Sequence, residues 1–216
     1  MKENRKIVIA SCLLCLVPLI FSLAVYSRLP EQMAVHWDAS GEANGYASRF
    51  VGAFGLPALL LAVQLLCCAG ILYDPKKRNQ SSVMRNIGIW CIPVLNLIIH
   101  PIMLLSAMGK ALPITTVITM MIGVLFIICG NYMPKTRQNY SIGIKLPWTL
   151  DDRDNWNKTH RLAGVLWIIC GILLLVSPFI GQAGKHMYLD LTLILAMILI
   201  PIGYSFLLHL KKVRES

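Results

Sequence analysis

Residues Ile7 to Tyr26 read IVIASCLLCLVPLIFSLAVY, twenty positions without a charged side chain. A helix needs roughly twenty mostly apolar residues to cross a hydrocarbon core. Five further stretches share this character: Val51–Tyr73, Ile87–Met108, Leu112–Met133, Leu162–Ile180 and Tyr188–Leu210. None contains Lys, Arg or Glu, and Asp190 sits at the edge of the last. The 216 residues are 56% hydrophobic and only 14% charged. A soluble domain carries about 25% charged residues and could not bury this much apolar surface. The expected fold is therefore all-α: a polytopic membrane protein with six transmembrane helices, each satisfying its own backbone within the bilayer.

The net charge of +10 has a positional meaning. Sixteen Lys and Arg residues fall in the N-terminus, the second loop, the fourth loop and the C-terminus. Only Arg28, Arg49, Lys110 and Lys185 fall in the remaining loops. Cytoplasmic loops carry the excess of Lys and Arg, so both termini are expected inside. Cations scattered over four segments do not form a recognition module, and no direct nucleic-acid contact is expected. The first apolar run is longer than a signal-peptide core and has a poor cleavage site around Ser22 and Ala24, so it reads as a retained span. All seven cysteines lie inside spans, which leaves no extracellular disulfide framework. Cys12-x-x-Cys15 lacks the electropositive surroundings of a redox pair and reads as helix filler.

Two loops are long. Residues 27–50 form the outer one, where Asn44-Gly45 and Ser40-Gly41 are turn signals. A compact, turn-rich loop is expected there, with Trp37 and Tyr46 at the membrane–water boundary. His36, Asp38 and Glu42 could gather a metal, but their spacing matches no ligand signature, and no metal or cofactor is expected. Residues 134–161 form the cytoplasmic loop. Thr149 followed by Asp152 is an N-cap pattern, and Asp151, Asp152 and Asp154 suit a helix N-terminus. Asp154 and Lys158 are spaced i, i+4, as are Trp156 and His160. A short interfacial helix feeding the fifth span is expected, with Trp148 and Trp156 at the headgroups. Gly123 and Gly130 in the fourth span, like Gly164 and Gly171 in the fifth, are seven apart and would let helices approach closely. The chain divides at this level into an N-terminal membrane half, 1–108, and a C-terminal half, 109–216.

The inner segment resembles the signature of the SdpI-type immunity proteins. Its residues are Asn139-Tyr140, Gly143-Ile144-Lys145 and Pro147-Trp148-Thr149-Leu150, then Trp156, Thr159-His160-Arg161 and Gly164. The outer segment resembles the N-terminal domain of unknown function often found in that family, through Leu29-Pro30, Val35-His36-Trp37, Gly41 and Gly45-Tyr46. Ala34 stands where many relatives have proline. The resemblance implies a multi-pass protein of the bacterial cytoplasmic membrane, in contact with lipid, that protects its producer from a secreted, membrane-active peptide toxin. It further implies signal transduction, in which the toxin-engaged protein holds a cytosolic ArsR-like autorepressor at the membrane. The functional motif is then Asn139, Tyr140, Gly143, Lys145, Pro147, Trp148, Thr149, Trp156, Thr159, His160 and Arg161, with Pro30, His36, Trp37, Gly41, Gly45 and Tyr46 outside.

Two other classes compete. A small transporter or channel would use polar groups within the spans, where Gln64, Asn96 and His100 are the candidates. Asn96 and His100 share a face, and Pro93 and Pro101 expose carbonyls on the same helix. A membrane-embedded enzyme could draw on His160 with the three aspartates, but no zinc-protease, Gly-x-Ser-x-Gly or phosphate-loop motif is present. No enzymatic activity is expected.

Overall fold

The computed structural model describes residues 2–38, 41–110, 112–180 and 186–215. Lys185 and Ser40, used above in the charge and turn readings, lie outside them. Among the described residues six helices are long and apolar enough to cross a membrane. They are α1 (Lys2–Val25), α2 (Arg49–Leu72), α3 (Ser82–Ala107), α4 (Ile114–Tyr132), α6 (Arg153–Val176) and α7 (His186–Glu215), with a short α5 (Pro147–Asp151) before α6. The chain is an all-α polytopic membrane protein.

The outer loop is more regular than its sequence suggested. It forms an antiparallel hairpin, β1 (Gln32–Trp37) with β2 (Ala43–Ser48). The reversal lies between Asp38 and Glu42, where Asp38 N donates to Glu42 O and Gly41, at φ +85°, donates to Asp38 O. Asn44-Gly45, expected as a turn, instead lies within β2 opposite His36, at an irregularity in the register. Gly45 is needed there because a Cβ would sit 2.8 Å from that of His36. The reversal closed earlier in the chain by the Asp38–Glu42 and Gly41–Asp38 bonds satisfies the backbone, so the local preference of Asn-Gly is overridden.

The chain forms two compact units whose segments interleave along the sequence. The first holds residues 2–69 and 88–118: α1, the hairpin, most of α2 and most of α3. Leu29 and Met33 pack against Ala53 and Leu104 in its core, seating the hairpin on the helices. The second holds residues 70–87, 119–180 and 186–215. In it, Cys170, Leu174, Leu193 and Met197 form a buried cluster between α6 and α7. The glycine spacing acts as expected: Gly123 faces Gly171 and Gly130 faces Gly164. A Cβ at any of the four would stand 2.8 Å from the carbonyl oxygen of its partner. The backbones of α4 and α6 can approach this closely only where both side chains are missing.

Three of the five prolines inside the six long helices share one arrangement. A proline removes the N–H that would bond the carbonyl four residues earlier. Pro57 frees Ala53 O, and Ser22 Oγ donates to it at 2.6 Å. Pro93 frees Ile89 O, and Gln64 Nε2 donates to it at 2.9 Å. Pro201 frees Met197 O, and Trp167 Nε1 donates to it at 2.9 Å. A carbonyl freed inside a span needs a new partner, and at these three positions a side chain from a neighbouring helix supplies it.

Candidate functional site

The inner motif is a hydrogen-bonded knot within the second unit. Asn139 is fully buried and uses all four of its bonding positions. Its Nδ2 donates to Arg137 O (2.8 Å) and Ile142 O (3.1 Å), and its Oδ1 accepts from the backbone N–H groups of Ser141 (3.0 Å) and Ile142 (2.7 Å). This winds the loop so that Gly143 can adopt φ +119°. A Cβ at Gly143 would collide with His160 Nε2 and with the indole of Trp156. Only glycine satisfies both the backbone angle and the space.

His160 follows from that close approach. Its Nδ1 lies 2.8 Å from Trp156 O, a carbonyl that can only accept. Its Nε2 accepts from Ile144 N at 3.0 Å. These two partners require the neutral imidazole with its proton on Nδ1. Both nitrogens are occupied and the ring is 1% exposed, so His160 is a structural brace for the loop. Trp156 is fully buried, stacks on His160 and donates through Nε1 to Thr136 O at 2.7 Å. The protein itself encloses the indole: the loop folds back over α6 and covers it.

The cap also differs in detail. Asp152 is the N-cap of α6, accepting from Asp154 N and Asn155 N. Burial pushes its carboxyl up, but the bonds from Lys212, Asp154 and Asn155 prevail and hold it below the usual carboxylate range. Thr149 belongs to the preceding α5, where its Oγ1 accepts from Leu146 N at 2.9 Å. Pro147 opens that helix, where a missing N–H costs nothing. The i, i+4 pair of Asp154 and Lys158 forms at 2.7 Å on the surface.

A second network ties α5, α6 and α7 together. Trp148 Nε1 donates to Ser205 Oγ (2.7 Å), and Ser205 Oγ donates to Asn155 Oδ1 (2.8 Å). Thr159 Oγ1 donates to the same oxygen (3.0 Å), and Asn155 Nδ2 returns to Ser205 O (2.9 Å). Trp148 also stacks on His209. A third network joins the second loop to the motif. Asp74 is buried, and its carboxylate accepts from Lys76 N (2.7 Å), Gln80 Nε2 (3.2 Å), Tyr140 N (3.0 Å) and Ser141 Oγ (2.6 Å). Burial pushes Asp74 up, and these four bonds outweigh it and hold the group below the usual carboxylate range. Lys76 lies over the Tyr140 ring, and Asn79 Nδ2 donates to Gln138 O at 2.8 Å.

The motif thus divides by role. Asn139, Gly143, Thr149, Trp156 and His160 build the knot, Trp148 and Thr159 belong to the network that joins α5, α6 and α7, and Pro147 opens α5. Tyr140, Lys145 and Arg161 present exposed side chains. Sequence reasoning missed Asp74, Asn155 and Ser205. The signal for Asp74 was its position as the one acid in a loop with four cations.

The outer residues belong to the first unit. His36 Nδ1 meets Asn44 Oδ1, Pro30 O accepts from Arg49 Nε at 3.3 Å, and Tyr46 is exposed with its hydroxyl on Ala43 O. Trp37 is half-buried at the end of β1, opposite Ala43. Asp38 Oδ1 accepts from Glu42 N, which places it in the turn. Among the described residues no group of three His, Cys, Asp or Glu could hold a metal ion.

Comparison with known proteins meets this geometry. A family model described as "SdpI/YfhL protein family" matches residues 135–205, which contain every inner-motif residue and end at Ser205. One described as "Domain of unknown function (DUF1648)" matches residues 13–61, from α1 through the hairpin into α2. The chain is 26% identical to "Immunity protein SdpI" of Bacillus subtilis (strain 168), over 100% of both chains. No solved structure matches. The motif, both matched segments and the full-length likeness agree: the chain is similar to an SdpI immunity protein over its whole length and carries the SdpI/YfhL signature in residues 135–205, behind a segment that matches the domain of unknown function.

Proposed function

We propose that this chain is a membrane immunity protein that protects a bacterium from a secreted, membrane-active peptide toxin. The observation that carries the reading is its full-length likeness to an immunity protein. In this reading both termini and the motif loop face the cytoplasm, following the sixteen-to-four distribution of cations. The hairpin faces outward and meets the toxin as it approaches the bilayer.

The finer role is that of a receptor. The knot holds Tyr140, Lys145 and Arg161 at the surface, where a cytosolic autorepressor can dock. Signalling requires two states that differ in the presentation of these side chains, with the toxin favouring one. Nothing in the knot resembles a catalytic constellation: both nitrogens of His160 are committed to backbone groups.

The test is killing of a toxin-sensitive bacterium by the peptide toxin, with and without this protein. Protection is expected, together with toxin-dependent membrane recruitment of a tagged repressor. A triple Tyr140→Ala, Lys145→Ala, Arg161→Ala variant at normal abundance should keep the fold and lose recruitment. Absence of protection by correctly inserted protein would refute the immunity role. Protection without any toxin-dependent recruitment would refute the receptor role alone.

A further inference from the structure

The interior of the first unit carries more hydrogen-bond acceptors than donors. Within the spans of α1, α2 and α3 there is no Asp, Glu, Lys or Arg from Ile7 to Tyr26, from Val51 to Ala69 or from Gly88 to Ala107. The polar side chains there include Ser11, Ser22, Gln64, Asn96 and His100, each 0% exposed. Pro18, Pro57, Pro93 and Pro101 each remove one backbone donor from the same helices.

The donors present are already used. Ser22 gives its proton to Ala53 O, so the 2.7 Å contact with His100 Nε2 needs the proton on that nitrogen. His100 Nδ1 is then a bare acceptor, and it has no partner in the protein. Gln64 Nε2 donates to Ile89 O and Ser11 Oγ, leaving Gln64 Oε1 unpartnered. Turning that amide over would set two carbonyl oxygens against each other. Asn96 Nδ2 points at Cys15 O, 3.4 Å away, and Asn96 Oδ1 is likewise unpartnered. Asn96 and His100 are one turn apart on α3, and Gln64 bonds that helix two turns earlier, at Ile89.

An acceptor left without a partner in the interior is costly, and three in one small lipid-embedded unit need an explanation. All three are neutral acceptors with no carboxylate beside them, so a divalent cation has no countercharge here. A small neutral donor fits, and water binds in protein interiors where two to four polar partners are available. We propose that the first unit encloses a file of water running past Gln64, Asn96 and His100, a hydrated track inside the membrane. His100 Nδ1 is the acceptor on that track that takes a hydrogen bond from a water.

The test is water-edited solid-state NMR of the 15N-labelled full chain in bilayers, with His100 assigned by the loss of its signals in His100→Gln. Magnetisation from water should reach the His100 ring as quickly as that of exposed His36. It should reach His160, equally buried but bonded to protein at both nitrogens, far more slowly. Asn96→Leu should abolish the rapid transfer at His100 without moving its Nε2 signal. Transfer to His100 no faster than to His160 would overturn the proposal. So would rapid transfer unchanged by Asn96→Leu, because the file would then not pass Asn96.

Discussion

The imidazole of His160 lies flat on the indole of Trp156, with ring centroids 4.0 Å apart and planes inclined by 21°. The pair shares one turn of α6, and the loop at Gly143 closes over it. Stacking leaves no room beside the rings for a side chain on the loop.

Gly143→Ala is therefore expected to be worse than a surface change. The φ of +119° is strained for any L side chain, and the new methyl group meets His160 and Trp156. The backbone alone costs on the order of 1–3 kcal/mol. Thermal unfolding in detergent should show a clear drop, whereas Lys145→Ala on the exposed part of the loop should leave the midpoint nearly unchanged.

The α4–α6 crossing offers a contrast of glycines. Gly164→Ala drives a Cβ against both Gly130 O and the Pro134 ring, so the helices must separate. Gly203→Ala on α7 meets nothing within 4 Å. The first should destabilise. The second should stabilise by about 0.5–1 kcal/mol through lost freedom of the unfolded chain. Equal effects at the two positions would contradict the close approach.

Trp167 and Pro201 form a thermodynamic pair. Trp167→Phe leaves Met197 O without a donor, at a cost of about 1–3 kcal/mol. In a Pro201→Ala background the restored N–H of residue 201 can bond that carbonyl. The same Trp167→Phe change should then cost less for this bond. A double-mutant cycle on unfolding midpoints measures the coupling.

Asp74 sets a pH dependence. Its folded pKa lies below its unfolded value, because the bonds to the carboxylate outweigh its burial. The stability it contributes is fully present above the unfolded value, about 4, and is lost as pH falls through the folded value. The stability difference between the native protein and Asp74→Asn should be constant from neutral pH downward and then narrow in acid. A difference that widens in acid would reverse the assignment. Limited proteolysis of residues 134–146 provides a local readout of the same release.

The sequence alone determined the six spans and their number, because crossing a hydrocarbon core requires an apolar run of a set length that no tertiary contact can replace. It also marked the loops that matter, and the seven-residue glycine spacing foretold which helices approach. It offered two turn signals in the outer loop, Ser40-Gly41 and Asn44-Gly45, and did not decide that the reversal falls around Gly41. Asn44-Gly45 is a local preference, and the pairing of two whole strands outweighed it. Nor could it place Trp156, since an indole with one donor suits a headgroup boundary and a buried carbonyl equally. Only the fold, by bringing Thr136 O within 2.7 Å, supplied its partner. The same holds for Asp74 with Tyr140 and Ser141, for Ser205 with Trp148, and for Gln64 with the carbonyl freed by Pro93. Each of these joins residues far apart in the chain. Which distant group satisfies a buried donor or acceptor is a property of packing, and no local pattern of residues encodes it.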